Sequence, residues 1–274
     1  MEISFPLFGE NFIVNPPVYV TVFGFQIYLY GLCITAGFLL AGLYMYKRRE
    51  LFGLTQDNVL DLVILAVPCG IVGARIYYVL FNLSDYVGPG KWHNILMLRS
   101  GGLAVYGGVI GGTLAYIIYS RIKKIPIGKL LDAGSFGLFI GQAVGRWGNF
   151  FNREAFGSIT SLPWKMGLMA PTGFVYVHPT FLYESLWNTA GLGFMHLFSK
   201  KREQKYRGQF FLMYVAWYGF GRFFIEGLRT DSLYIFESNI RVSQLLALTS
   251  CLAAVLLLFL GNRRSSQLHN NATP

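Results

Sequence analysis

The chain has 274 residues, of which 54% are hydrophobic and only 13% charged, and its mean hydropathy is +0.45; a soluble domain carries roughly 25% charged residues, so that class is excluded and a polytopic membrane protein is expected. The formal net charge of +10 comes without a soluble basic domain or interleaved surface aromatics, which argues against nucleic acid as a partner. Cys33, Cys69 and Cys251 lie in apolar stretches, spaced neither as metal ligands nor as a disulfide framework, and read as packing residues.

The opening MEISFPLFGE has two acidic residues and no basic one, unlike the positive region of a cleaved signal peptide, so the first span is expected to remain as an anchor. Seven segments supply the roughly 20 mostly apolar residues that a span requires: 24–46, 59–81, 101–119, 129–149, 180–199, 208–227 and 241–261. The expected fold is all-α, one transmembrane domain over 1–274 with about seven helices. Between the second and third spans, 82–100 includes Trp92 and reads as an interfacial arm. The third, GGLAVYGGVIGGTLAYIIY, has six glycines, which suits close helix packing in lipid. The loop 150–179, with Pro163, Trp164, Pro171 and Gly173, is long for a connection and reads as a small head.

Basic residues orient the chain. Lys47, Arg48, Arg49, Arg121, Lys123, Lys124, Lys129, Lys200, Lys201, Arg202, Lys205, Arg207, Arg263 and Arg264 fall on one side. Only Lys91, Arg99, Arg153, Lys165, Arg229 and Arg241 fall on the other, although its loops are longer. The positive-inside rule makes the first side cytoplasmic, with the N-terminus outside and the C-terminus inside. Three arginines remain, Arg75, Arg146 and Arg222, each inside a span a few residues before its outer end. At about 1.5 Å per residue, all three lie within roughly 10 Å of the outer boundary.

A charge at membrane depth is costly and usually faces a bundle interior or a water-filled cavity. Tyr30, Tyr106, His178, Tyr183 and Glu184 reach the same level from the spans that start outside. Tyr218, Arg222, Glu226 and Arg229 recur at spacings of four, four and three, on one helical face. The plainer alternative is an i, i+4 Arg222–Glu226 pair with boundary arginines that snorkel; three at one depth favour a site. The guanidinium fork matches phosphate oxygens, and a phospholipid headgroup lies at that depth. Binding, moving and cutting the lipid remain open on these residues alone.

GRWGNFFNREAFG at 145–157 resembles the signature of the bacterial phosphatidylglycerol:prolipoprotein diacylglyceryl transferases. SGGLAVYGGVIGG at 100–112, HPTFLYES at 178–185 and RFFIEGLRTDSL at 222–233 are similar to that family's other motifs, in the same order, as are YGLCITAGF from Tyr30 and GARIYYVLF around Arg75. The resemblance covers about residues 15–262. It implies a seven-span enzyme of the bacterial cytoplasmic membrane whose site faces the outer leaflet. The reaction implied moves the diacylglyceryl group of phosphatidylglycerol onto the lipobox cysteine of a preprolipoprotein signal peptide, releasing glycerol phosphate. No cofactor and no metal is expected, in line with the lack of an HExxH or a Gly-rich loop ending in Lys-Ser/Thr.

Carried onto the matching residues, the resemblance gives Arg146 and Arg222 phosphate binding and leaving-group stabilisation. Asn149 and Asn152 hydrogen-bond the glycerol headgroup, or else cap the helix end. Glu154 orients Arg146 or takes the thiol proton, and Gly157 makes a backbone turn. Tyr30, Arg75, Tyr218, Glu226 and Arg229 complete the lipid-binding set; Arg229, with Thr230 and Asp231, shapes the mouth or meets the signal peptide. Many relatives have histidine where this chain has Tyr106. Tyrosine, with an ordinary pKa of about 10, is a poor base unless adjacent arginines lower it, so either Tyr106 donates a hydrogen bond to phosphate and another residue takes the proton, or the cationic site favours thiolate without a dedicated base. His178 is the one histidine near the site, and it reads equally as a residue at the start of a helix.

Overall fold

The computed structural model describes residues 2–9, 11–88, 91–97, 101–235 and 240–272; Arg99 and Ser100, used above for orientation and for a motif, lie outside them. The seven apolar segments become α1 (Leu29–Arg48), α2 (Gln56–Phe81), α3 (Val105–Lys123), α4 (Ile127–Asn152), α5 (Thr180–Lys201), α6 (Gln209–Leu228) and α7 (Val242–Ala272). The stretches Leu29–Phe52, Gln56–Phe81 and Val242–Gln267 are long and apolar enough to cross a membrane. α4, α5 and α6 instead carry buried polar side chains, among them Asp132, Glu184, Asn188 and Glu226.

The all-α expectation requires correction, because the chain also forms sheet. β1 (Ile3–Ser4), β2 (Ile13–Val14), β5 (Met166–Ala170) and β6 (Gly173–Val177) make an antiparallel sheet in the order β2-β1-β5-β6, while β3 (Tyr19–Val22) and β4 (Phe25–Tyr28) form a separate hairpin. Strands this short give no readable period. The hairpin also shifts the start of the first helix. Phe23 and Gly24, at φ 49° and 81°, make the two-residue turn that joins twisted strands, so α1 begins at Leu29 instead of residue 24.

The chain divides into two compact units, Met45–Ala133 and Met1–Tyr44 with Gly134–Pro274. In the smaller unit α2 and α3 pack backbone to backbone. A Cβ on Gly73 would lie 2.4 Å from the Gly107 carbonyl oxygen, and one on Gly107 would lie 2.3 Å from that of Gly73. With no driving force for apolar surface to leave lipid, such contact is how membrane helices associate. Thr55 and Asn58 form a capping box at the start of α2. Arg75 donates to the carbonyls of Asn94, Ile95, Met97, Gly101 and Gly102 at 2.7 to 3.2 Å, and Tyr86 lies under its guanidinium. This arginine holds the described part of the 82–100 segment.

In the larger unit, Gly191 of α5 lies against Trp217 of α6, and Gly221 of α6 against Trp187 of α5. The two indoles stack and exchange bonds, each Nε1–H donating to the other residue's carbonyl at 2.9 and 3.0 Å. Beyond this clasp, Ile3, Met166, Leu168, Val177 and Phe181 form an apolar core with Phe150, Phe156 and Leu182. The four-stranded sheet is thereby fastened to the end of α4 and the start of α5.

Replacing Gly107 by alanine is expected to lower thermal stability in detergent, by about 1–3 kcal/mol for an overpacked contact that only a backbone shift can relieve. Gly112, on the same helix, has nothing within 4 Å of its Cβ position, and Gly112→Ala should leave the melting temperature unchanged. Parallel melting curves of the two variants check this.

Candidate functional site

α4 ends in a reversal that builds one side of the site. Arg153 N–H donates to Phe150 O and Glu154 N–H to Asn149 O, both at 3.1 Å, with Arg153 in the left-handed region at φ 54°; this is the Schellman arrangement. It folds the Glu154 side chain back along the last turn, where Oε1 accepts from Asn149 Nδ2 at 3.0 Å and from Asn152 Nδ2 at 3.3 Å. Asn149 Oδ1 in turn accepts from Arg146 Nη1 at 3.2 Å. Glu154 therefore reaches Arg146 through Asn149. Tyr30, from the first turn of α1, lays its ring on Gly148, where a Cβ would come within 2.6 Å.

The centre is Glu184, in the second turn of α5 and only 3% exposed at its side chain. Arg146 Nη2 pairs with its Oε2 at 2.6 Å. Arg222 Nη1 pairs with Oε1, and Arg229 Nη1 lies 3.7 Å from the same oxygen. Arg222 also pairs through Nη2 with Glu226 one turn along α6. Arg229 makes a two-pronged contact with Asp231, at 2.9 and 2.6 Å. Ser232 Oγ donates to Glu226 Oε1 at 2.8 Å and Arg241 Nη1 to the Glu226 carbonyl at 2.6 Å. A buried carboxylate is strongly disfavoured unless paired; here three guanidiniums face three carboxylates. In the loop after α6, the bonds from Arg229 hold the Asp231 carboxyl below the ordinary carboxylate range.

Gly157 stitches this cluster to the sheet. Its N–H donates to the His178 carbonyl at 2.9 Å, and Ser158 N–H donates to Leu228 O at 2.7 Å, so the residue runs between two backbones. A Cβ there would lie 2.7 Å from His178 Cβ and 3.0 Å from Leu228 O. His178 Nδ1 lies 3.2 Å from the Tyr183 hydroxyl, which accepts from Trp164 Nε1 at 2.8 Å. Burial pushes the His178 pKa down, so the ring is neutral near pH 7.

Of the residues singled out in the sequence, the structure brings Arg146, Asn149, Asn152, Glu154, Arg222, Glu226 and Arg229 into one bonded network. Gly157 and Tyr30 pack at its edge. Tyr218, one turn before Arg222, stacks on Tyr214 at 5.8 Å. Arg229 follows the last turn of α6 in extended backbone, not on the helical face expected, yet still reaches Glu184. Arg75 and Tyr106 belong to the smaller unit, where Arg75 is spent on carbonyls and the Tyr106 ring lies 6.4 Å from that of Tyr77. Glu184, the centre of the network, is not among the site residues expected from the sequence; the signal that could have found it is an acid at the start of one apolar segment with arginines near the ends of two others.

A family model described as "Prolipoprotein diacylglyceryl transferase" matches residues 17–260. The chain is 43% identical over 250 residues to the phosphatidylglycerol–prolipoprotein diacylglyceryl transferase of Enterococcus faecalis, covering 88% of this chain and 89% of that one. It is 44% identical over 236 residues to the protein of that name from Clostridioides difficile, covering 86% and 91%. Matches of this extent over both chains leave no part of the described network outside the similarity. The chain belongs to the prolipoprotein diacylglyceryl transferase family.

Proposed function

We propose that this membrane protein is the transferase its relatives' names describe, and that the Arg146–Glu184–Arg222 cluster is where it works. It moves the diacylglyceryl group of phosphatidylglycerol to a prolipoprotein, the first step of lipoprotein lipidation. On this reading the acceptor is the thiol of the lipobox cysteine. A C–S bond forms at the glyceryl carbon, the C–O bond to phosphate breaks, and glycerol phosphate leaves with the electron pair and one more negative charge than the diester had. The observation that supports the site is the convergence of Arg146, Arg222 and Arg229 on one buried carboxylate.

Each guanidinium has five N–H donors, and Arg146 spends only two of its nitrogens, Nη1 on Asn149 and Nη2 on Glu184. Donors remain for phosphate oxygens. Fixed cations aimed where charge develops stabilise the departing phosphate without reorganising. Glu184 acts as a positioning residue that keeps Arg146 and Arg222 on one centre. Arg75 we assign to the loop it holds, not to the lipid. Glu154, exposed at the end of α4 and held by two asparagines, is the acceptor we propose for the thiol proton; a thiol attacks as thiolate, and the acceptor must lie within hydrogen-bond reach. Neutral His178 bonds Tyr183 and serves as support.

We read the seven helices as seven spans with the basic ends of α1, α3, α5 and α7 in the cytoplasm. The cluster, at the end of α4, the start of α5 and the end of α6, then faces the outer leaflet of the cell membrane. A phospholipid reaches it sideways, and the cysteine arrives from the translocated side.

The experiment is mass spectrometry of a lipobox-cysteine peptide incubated with purified protein and phosphatidylglycerol. A diacylglyceryl mass gain on the cysteine is expected with the native chain. Arg146→Lys and Glu184→Gln should each lower the rate by roughly 10²–10³, the scale of losing one positioned donor, in protein that remains folded by gel filtration. Binding of the lipid without any mass gain would falsify the transferase reading and leave a lipid-binding protein.

Glu154→Gln should lower kcat with little change in KM, because the amide still accepts one hydrogen bond yet takes no proton. Its residual rate should climb with pH toward the thiol pKa of about 8.5, since only thiolate already formed in solution can react. A flat pH profile in this variant would remove Glu154 from the proton step.

A further inference from the structure

The β3–β4 hairpin leads directly into α1 and makes no bond to the charged cluster among those described. It pairs Tyr19 with Tyr28, Val20 with Ile27, Thr21 with Gln26 and Val22 with Phe25. No other described strand pairs with either edge. Val22, Phe25 and both tyrosines are exposed, and Phe23 at the tip is 97% exposed. That tip sits at φ 49°, a left-handed position normally given to asparagine or glycine. An isolated two-stranded ribbon is marginal in water, and this one adds a bulky apolar residue in a disfavoured conformation with no protein contact to compensate.

The surroundings say what covers it. No charged residue stands between Glu10 and Lys47, so the ribbon and α1 as far as Tyr46 form one uncharged stretch. α1 exposes Leu32, Phe38, Leu39, Leu40 and Leu43 along a stretch apolar enough to cross a membrane. The ribbon continues that lipid-facing surface beyond the helix end. The rings of Tyr19 and Tyr28 lie 5.7 Å apart, the kind of polar-tipped aromatic pair that favours the membrane–water boundary.

We propose that the β3–β4 hairpin is a wedge inserted in the bilayer surface, with Phe23 at the boundary between headgroups and acyl chains. Its open edges carry N–H and C=O groups that need water, which holds it at headgroup level and out of the hydrocarbon. Being uncharged, it takes a phospholipid surface of any headgroup. Tyr30, two residues past the hairpin, packs on Gly148 of α4, beside Arg146 and Asn149. The wedge therefore disturbs lipid packing next to the cluster; on the reading of that cluster as the phosphatidylglycerol site, it eases the donor lipid's approach.

The test places one new tryptophan at the tip, Phe23→Trp, and another on the β5–β6 turn, Thr172→Trp, where the chain is exposed. Each is read as the increment over the five native tryptophans, in nanodiscs whose lipids carry bromine either near the headgroup or near the chain end. The Phe23→Trp increment should be blue-shifted, quenched about twofold by the shallow bromines of interfacial depth and untouched by aqueous iodide, with Thr172→Trp the reverse. Quenching by iodide alone overturns the proposal. So does shielding from both quenchers, which would assign the surface to a protein contact such as a second copy. These readings need no turnover and stand apart from the transferase assignment. With that assignment holding, Phe23→Ser should raise the apparent KM for phosphatidylglycerol several-fold in vesicles at unchanged kcat, and change neither in detergent; equal kinetics in vesicles would overturn the supply role.

Discussion

One buried carboxylate sets the terms for the larger unit. Glu184 is shut off from water, so its charge is tolerable only while Arg146, Arg222 and Arg229 face it. The dependence runs both ways, because each arginine is itself largely buried and would be costly to leave unpaired. α4, α5 and the end of α6 are thus tied at one level by charge. Three cations against Glu184, Glu226 and Asp231 leave these paired side chains near formal neutrality.

Backbone detail delivers those side chains. The left-handed Arg153 ends α4 at the point where Glu154 can return to Asn149, and Gly148 admits the ring of Tyr30. Gly157 passes between His178 and Leu228 because it has no Cβ. The sheet, in turn, is anchored by Phe150 and Phe181 at the helix ends, so the loop that follows α4 is held by an apolar core instead of lying loose.

The sequence shows the helices more plainly than the strands or the direction of the buried side chains. Long apolar runs gave the seven helices in order, since a helix in lipid must satisfy its own backbone over a fixed length. The strands escaped because Ile3–Ser4 and Ile13–Val14 are too short to show alternation, and the uncharged β4 reads as more of the first span. Counting residues from span ends gives Arg75, Arg146 and Arg222 one expected depth, but such a count carries no direction. Arg146 and Arg222 point to Glu184, whereas Arg75 turns to the carbonyls of Asn94, Ile95, Met97, Gly101 and Gly102. Glu184 was visible as a residue and not as a hub, because its partners come from α4, α6 and the chain beyond it.

The tryptophan clasp between α5 and α6 has a consequence for motion. Each indole is fixed by a hydrogen bond to the opposite residue's carbonyl while the facing glycines admit the rings, so sliding one helix past the other would break both bonds and jam a ring against backbone. Shear along this pair is therefore blocked, and packed interfaces of this kind shift in discrete jumps instead of flexing. Whatever rearranges during turnover, α5 and α6 keep their register and move as one body.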